Sequence, residues 1–303
     1  MSSITKMTRA LLSFMMLLRP VLGVPAAEML PRADATTCNG RSEYCSRSYS
    51  NITFVGSHDS AFVGELPQQN QNIDITAQLN MGIRFLQAQT HHSLLDKNVL
   101  ELCHTSCLLE DAGTLESYLG TVKKFLDTNA NEVITILLTN GDSVDITEFG
   151  KTFASSGIDS YAFVPSSNPL SIGDWPTMGE LVSNYGADTS KVNYILDEFA
   201  YYFETPYDVT DSSFSGCNID RPSGASASGR MYIVNHFLDV DILGVKIPDR
   251  GAAGTTNAAT GKGSIGAQAA VCEGLYSKAP NAVLLDFVDK GNAIQAQNQL
   301  NGF

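Results

Sequence analysis

Glu132-Val133-Ile134-Thr135-Ile136-Leu137-Leu138 constrains the fold of this 303-residue chain more than any other stretch. It is β-branched and almost wholly apolar, as a strand covered on both faces should be. Such a strand belongs to a sheet layered between helices. The rest of the sequence agrees. Strand-like runs at Ile52–Gly56, Ile83–Gln89, Val99–Cys103, Val192–Leu196, Met231–Asn235 and Val283–Phe287 alternate with helix-like ones. Asp74 can cap a short helix running to Met81, and Leu115, Leu119, Val122, Phe125 and Leu126 recur at helical spacing. Further helices are expected near 145–155, 176–183 and 264–278. This alternation predicts an α/β fold with a parallel sheet, and the size fits a single-domain (β/α)8 TIM-type barrel over residues 51–303. A doubly wound sheet is the alternative, but Ser57-His58-Asp59-Ser60 stands where its glycine-rich phosphate turn would follow the first strand.

The N-terminus reads as removable. Lys6 and Arg9 precede the apolar run Ala10–Leu18, and small residues follow at Gly23 and Ala26-Ala27. That is the layout of a secretory signal peptide over residues 1–27, with the cleavage point approximate. Residues 28–50 are polar and aperiodic, an N-terminal arm ahead of the barrel. Six cysteines remain: Cys38, Cys45, Cys103, Cys107, Cys217 and Cys272. An even number in a secreted chain reads as three disulfides, for which fifteen pairings are open. Proximity along the chain favours Cys38–Cys45 and Cys103–Cys107, leaving Cys217–Cys272. A zinc site is the weaker reading, since no Cys-x-x-Cys pair exists. Asn51-Ile52-Thr53 is a glycosylation sequon with Asn51 as acceptor. The expected localisation is extracellular.

Charge excludes one class of partner. The formal net charge is −13, and removal of residues 1–27 would take away three basic residues and no acid. Nucleic acid, which needs a basic face, is not an expected partner.

Three polar clusters end strand-like runs, the position where parallel barrels place active sites. His58 and Asp59 follow the first strand, His104 follows the third, and Asp286 lies in the last. Gln87 and Gln89 alternate on the second and so face the same way. Asn235 and His236 end another strand and are candidates for contact with a substrate. Two histidines facing one another can remove a proton from an internal hydroxyl and return one to a leaving oxygen, because imidazole titrates near neutrality. Nearby carboxylates can hold the imidazole tautomers.

These residues resemble the X domain of phosphatidylinositol-specific phospholipases C. Val55-Gly56-Ser57-His58-Asp59-Ser60-Ala61 is similar to the family's first histidine motif, Gly82-Ile83-Arg84-Phe85-Leu86 to its second strand, Leu102-Cys103-His104-Thr105 to its second histidine motif, and Leu285-Asp286-Phe287 to its last strand. Cys103-His104-Thr105-Ser106-Cys107 and Ile195-Leu196-Asp197-Glu198-Phe199 resemble a branch of secreted fungal phospholipase-C-like proteins. The resemblance implies a distorted (β/α)8 barrel and a phosphodiesterase. His58 would be the base on the inositol 2-hydroxyl and His104 the acid on the leaving lipid alcohol. Asp286 would orient His58, and Asp59 would assist His104. It also implies an inositol phospholipid or other phosphodiester as substrate, with transient contact to a membrane surface.

One departure stands out. Where the family carries a phosphate-binding arginine or acidic calcium ligands, this chain has Gln87, Ala88 and Gln89. Two glutamine carbonyls are a poor offer to calcium, so no cofactor or metal is expected. Lys246, Arg250 and Lys262 are candidates to supply the missing cation. The alternative reading is a binding protein that keeps the pocket without efficient catalysis.

Overall fold

A computed structural model describes residues 35–183 and 188–303. The expected signal segment and residues 28–34 of the arm lie outside the described residues. The described residues form one compact unit.

After a short helix α1 (Ser42–Cys45), the chain runs through β1 (Phe54–Ser57), α2 (Ile75–Met81) and β2 (Phe85–His92). Next come β3 (Leu100–Cys103), β4 (Asp111–Thr114), α3 (Leu115–Thr128), β5 (Thr135–Asn140), α4 (Ile146–Ser156) and α5 (Met178–Ser183). The second half holds α6 (Glu198–Tyr201), β6 (Tyr202–Glu204), β7 (Met231–Asn235), the hairpin β8 (Asp239–Ile242) and β9 (Val245–Pro248), α7 (Ala253–Thr256), α8 (Ile265–Tyr276), β10 (Ala282–Leu285) and α9 (Ala293–Leu300). Asp74 caps α2 by accepting from the Ala77 amide, a contact worth about 1 kcal/mol.

Six strands run parallel in the order β5-β2-β1-β10-β7-β6. This is a distorted TIM-type α/β barrel whose sheet, among the described residues, is open between β5 and β6. Val192–Leu196, expected as a strand, would stand in that gap, but it forms turns instead. Val192 takes a left-handed backbone (φ 55), and the amides of Val192 and Ile195 bond back to Thr189 and Val192. The run expected at Val99–Cys103 is also not a barrel strand. It is β3, which folds back antiparallel on the extended end of β2, Thr90 opposite Leu102.

Strand alternation divides the core into two layers. Val55, Leu86, Ala88, Val234, Val283 and Leu285 join one cluster with Leu119 and Val122 of α3, Ile265 and Cys272 of α8 and Ala293 and Ala296 of α9. Phe54, Phe85, Met231, Ile233, Ala282 and Leu284, one residue out of phase, form the inner cluster. The arm contributes to that inner layer: Cys38, Tyr44 and Tyr49 are buried there with Ile52 and Met178. The Tyr49 hydroxyl bonds the hydroxyls of Thr135 (2.6 Å) and Tyr202 (3.1 Å), tying the arm to β5 and β6. Gly56 is required by crowding. A Cβ there would stand 2.8 Å from the Phe85 carbonyl and 2.9 Å from the Leu284 side chain.

All three disulfides follow the pairing that chain proximity favoured: Cys38–Cys45, Cys103–Cys107 and Cys217–Cys272. Asn51 is exposed.

Candidate active site at the mouth of the barrel

The inner register delivers the polar residues. His58 continues the inward phase of Phe54 and Gly56, Gln87 and Gln89 that of Phe85, Asn235 that of Ile233, and Asp286 that of Leu284. In the β1–β10 register Ser57 faces Leu285, so His58 and Asp286 are the next pair beyond the ladder. Their side chains meet, His58 Nδ1 to Asp286 Oδ1 at 2.9 Å. His104 arrives by another route. It follows β3, and the Cys103–Cys107 disulfide closes the turn around it.

Asp59 joins the two histidines. Its Oδ2 lies 3.5 Å from His58 Nε2 and 3.3 Å from His104 Nε2. The same oxygen accepts from the Gln89 amide at 2.8 Å. Gln89 Oε1 in turn accepts the Thr105 N–H at 3.1 Å, and Gln87 Oε1 accepts the Asp59 N–H at 2.6 Å. The two glutamines therefore hold the acid and the turn after His104 in place. The other carboxylate oxygens, Asp59 Oδ1 and Asp286 Oδ2, are buried without a protein partner.

The residue after each key side chain adopts a left-handed backbone: Asp59 (φ 43) after His58, Thr105 (φ 62) after His104 and Phe287 (φ 49) after Asp286. Aspartate tolerates this region, but threonine and phenylalanine do not, at a cost on the order of 1–2 kcal/mol each. Strain of this kind collects at functional sites.

Electrostatics favour a charged His58. Burial of the imidazole works against its charge, but the carboxylates of Asp59 and Asp286 outweigh it and push its pKa up to about 9. Burial raises the Asp286 carboxyl, while His58 and the Asn70 amide, both bonded to Oδ1, pull it back. Two donors converging on Asp286 Oδ1 favour the ionic form of the pair. Asp239, at the base of the β8–β9 hairpin, is raised to about 7 by burial and by the nearby Asp286.

Two expected residues stand apart from the histidines. Asn235 is buried, its amide donating to Glu204 Oε2 (3.1 Å) and the Thr205 carbonyl (2.8 Å). His236 is fully buried with both ring nitrogens engaged, Nδ1 at 2.5 Å from Gln268 Oε1 and Nε2 at 2.9 Å from the Thr256 carbonyl. It points outward because strand alternation sends it opposite to Asn235. Its pKa is lowered by burial.

The candidate cations are engaged elsewhere. Lys246 pairs with Asp241 at 3.3 Å, and Lys262 is exposed beside Asp211. Arg250 bonds Asn72 and the Gly64 carbonyl and lies over the Phe287 ring. A calcium ion does not fit the second strand, since both glutamine Oε1 atoms already accept backbone N–H groups. Among the described residues, the one set of three potential ligands is Glu101, Cys103 and Cys107, whose cysteines form a disulfide.

Other contributors were not singled out from the sequence. Asn70 donates to Asp286 Oδ1 at 3.0 Å, and Gln71 donates to the His58 carbonyl at 2.7 Å. The run Gln68-Gln69-Asn70-Gln71-Asn72 directly after the histidine motif was the available signal. Phe237 stacks on His58 (centroids 3.7 Å, 6° between planes) and Phe62 on His104 (5.1 Å, 22°).

With this geometry in view, comparison with known proteins decides the family. The PI-PLC X 1 family model matches residues 44–301. The chain belongs to the PI-PLC X family. It is 52% identical over 283 residues to PI-PLC X domain-containing protein 1 of Arthroderma benhamiae, covering 90% of this chain and 92% of that protein. A second protein of that organism, described as an uncharacterized secreted protein, is 41% identical over 273 residues, covering 84% of this chain and 61% of that protein. Among solved structures, two mutants of phosphatidylinositol-specific phospholipase C from Staphylococcus aureus superpose with TM-scores of 0.51 and 0.52 at 14% identity. The alignments cover 84% and 85% of this chain and 93% of each of theirs, and they show a shared fold.

Proposed function

We propose that this PI-PLC X-family protein is a secreted phosphodiesterase that cleaves an inositol phospholipid, or a related phosphodiester, by transfer to a neighbouring hydroxyl. The observation that carries the reading is the placement of two imidazoles on one buried carboxylate at the mouth of the barrel, with Asp286 behind His58.

In this mechanism His58 Nε2 takes the proton of the inositol 2-hydroxyl, whose oxygen attacks phosphorus. The bond from phosphorus to the lipid alcohol breaks. His104 Nε2 gives a proton to the leaving oxygen, and the products are a cyclic phosphodiester and a diacylglycerol. Substrate must enter between the ring nitrogens and Asp59, which now face one another. Asp286 holds the His58 tautomer and stabilises the imidazolium formed in the step. With a pKa near 9, only about 1% of His58 is neutral at pH 7, so the base form is scarce at neutrality. Base catalysis by His58 would therefore strengthen as pH rises toward 9.

A second reading is favoured by the charge of the site. Charge developing on phosphorus needs fixed donors or cations, and Gln89 supplies an uncharged amide already given to Asp59. A protein built this way would hold a phosphodiester against the charged His58 and turn it over slowly.

Contact with a lipid surface would use the rim. Leu66, Leu108 and Leu109 are exposed on two loops joined by Gln68 and Gln69 to Glu110, and Ile242, Leu243 and Val245 are exposed at the β8–β9 turn. With a net charge of −13, such contact would be apolar rather than an attraction to anionic lipid.

The test is to incubate the full chain with phosphatidylinositol vesicles, with and without chelator, and identify phosphorus products by NMR. The enzyme reading expects a cyclic phosphodiester in both. Binding to the vesicles with no phosphorus product favours the second reading.

A further inference from the structure

We propose that Phe237 is a positioning residue for His58, fixing the plane of the imidazole and its affinity for the proton. The proposal rests on the reading of His58 as the base.

Asp286 and Asp59 hold the two ring nitrogens of His58 from opposite sides. Two contacts of that kind define a line through the ring and leave its tilt about that line undetermined. The Phe237 ring, parallel to the imidazole within 6° at 3.7 Å, removes this freedom. It also covers one face, and the plane it fixes is the plane in which the Nε2 lone pair must meet the hydroxyl.

Phe237 can do this because its own segment is rigid. It lies two residues past the end of β7, 5% exposed. The His236 amide bonds the Leu284 carbonyl at 2.9 Å, and the His236 ring is held by Gln268 and Thr256 and lies against Phe214. On the other side Leu238 pairs with Val209, and its carbonyl accepts from Asp249 at 2.7 Å. His236 therefore acts at a distance, as the anchor that turns Phe237 onto His58.

The stack also bears on charge. An aromatic face attracts a cation lying over it, and the ring keeps water from screening Asp59 and Asp286. His58 in water would titrate near 6.5. Water in place of the ring would relieve the burial that lowers the pKa and also weaken the carboxylate attraction that raises it. Because the carboxylates outweigh burial in the intact site, the net movement is downward, toward that value. Loss of the ring should therefore lower its proton affinity about tenfold, one pKa unit.

The experiment is an NMR titration of the His58 Cε1 proton in the full chain, in the wild type, Phe237→Leu and Phe237→Tyr. We expect the midpoint to fall by about one unit in the leucine variant and to stay within about 0.3 unit of wild type in tyrosine, which restores the ring. A folded leucine variant with the wild-type midpoint overturns the proposal. Should leucine not fold, Phe237→Met gives the same comparison with the same overturning result. The titration needs no turnover, so a protein without phosphodiesterase activity would refute the proposed function and leave this test standing. Where activity is present, the ascending limb of the rate–pH profile of the leucine variant should move with the His58 midpoint.

Discussion

Gln89 holds Asp59: its amide nitrogen donates to Asp59 Oδ2 at 2.8 Å, and that oxygen is the one the His58 and His104 Nε2 atoms face. A neutral side chain thus occupies the second-strand position where a charge is expected, and it is spent on orienting an acid. Gln89→Arg would keep a donor toward Asp59 and add positive charge beside the phosphate. Release of cyclic phosphate should rise about tenfold or more. Gln89→Leu should instead lower thermal stability by about 1–3 kcal/mol, because a buried carboxylate loses its donor. Initial rates and thermal melts of both variants check this.

The position of Gln89 was legible in the sequence, and its bonding was not. Alternation along Ile83–Gln89 placed Gln87 and Gln89 on one face together, which is a period-2 property that any strand displays, and the sheet register makes it the face of His58 and Asp286. That Gln89 reaches Asp59 depends on the left-handed turn at Asp59, a tertiary feature with no local signal. His236 shows the reverse limit. Its place at a strand end suggested the pocket, while its phase, opposite to Asn235, already pointed outward. The Val192–Leu196 segment failed because β-branched composition describes burial as well as strands. Ile195 packs on the core from a turn. Phe237 carried no polar signal, so nothing in the sequence marked it as a neighbour of His58.

The pH dependence follows from the raised His58 pKa. A base must be neutral to act, so kcat/KM should climb with pH through an apparent pKa near 9. Stability should move the other way. The charged His58 contributes fully below its unfolded value near 6.5, and the contribution fades as pH rises through about 9. A rate profile and melts between pH 6 and 10 give both signs. A rate limb centred near 6.5 would contradict the flanking of His58 by two carboxylates.

The disulfides should separate by role. Cys217–Cys272 spans 55 residues, and its loss should cost about 4 kcal/mol by loop entropy. Cys103–Cys107 spans four and should cost about 2 kcal/mol. It shapes the turn that carries His104, however, so Cys103→Ala with Cys107→Ala should reduce kcat by about tenfold or more at a temperature where the variant is folded. Paired measurements of melting temperature and kcat test the contrast.

The rim leucines should govern attachment to lipid and leave the chemistry alone. Leu243→Ser combined with Leu108→Ser removes two fully or largely exposed aliphatic side chains. Sedimentation with vesicles should weaken about tenfold or more, since each buried leucine is worth about 1.5–3 kcal/mol. Cleavage of a water-soluble phosphodiester by the same variant should stay within about twofold of wild type.

The central claim is that two histidines on one carboxylate carry out acid–base cleavage, and it is tested most directly by rates of cyclic-phosphate release from phosphatidylinositol by wild type, His58→Ala and His104→Ala. The account predicts release by the wild type and a loss of about 100-fold or more in each variant, with both variants folded. Equal release by wild type and either variant would contradict it.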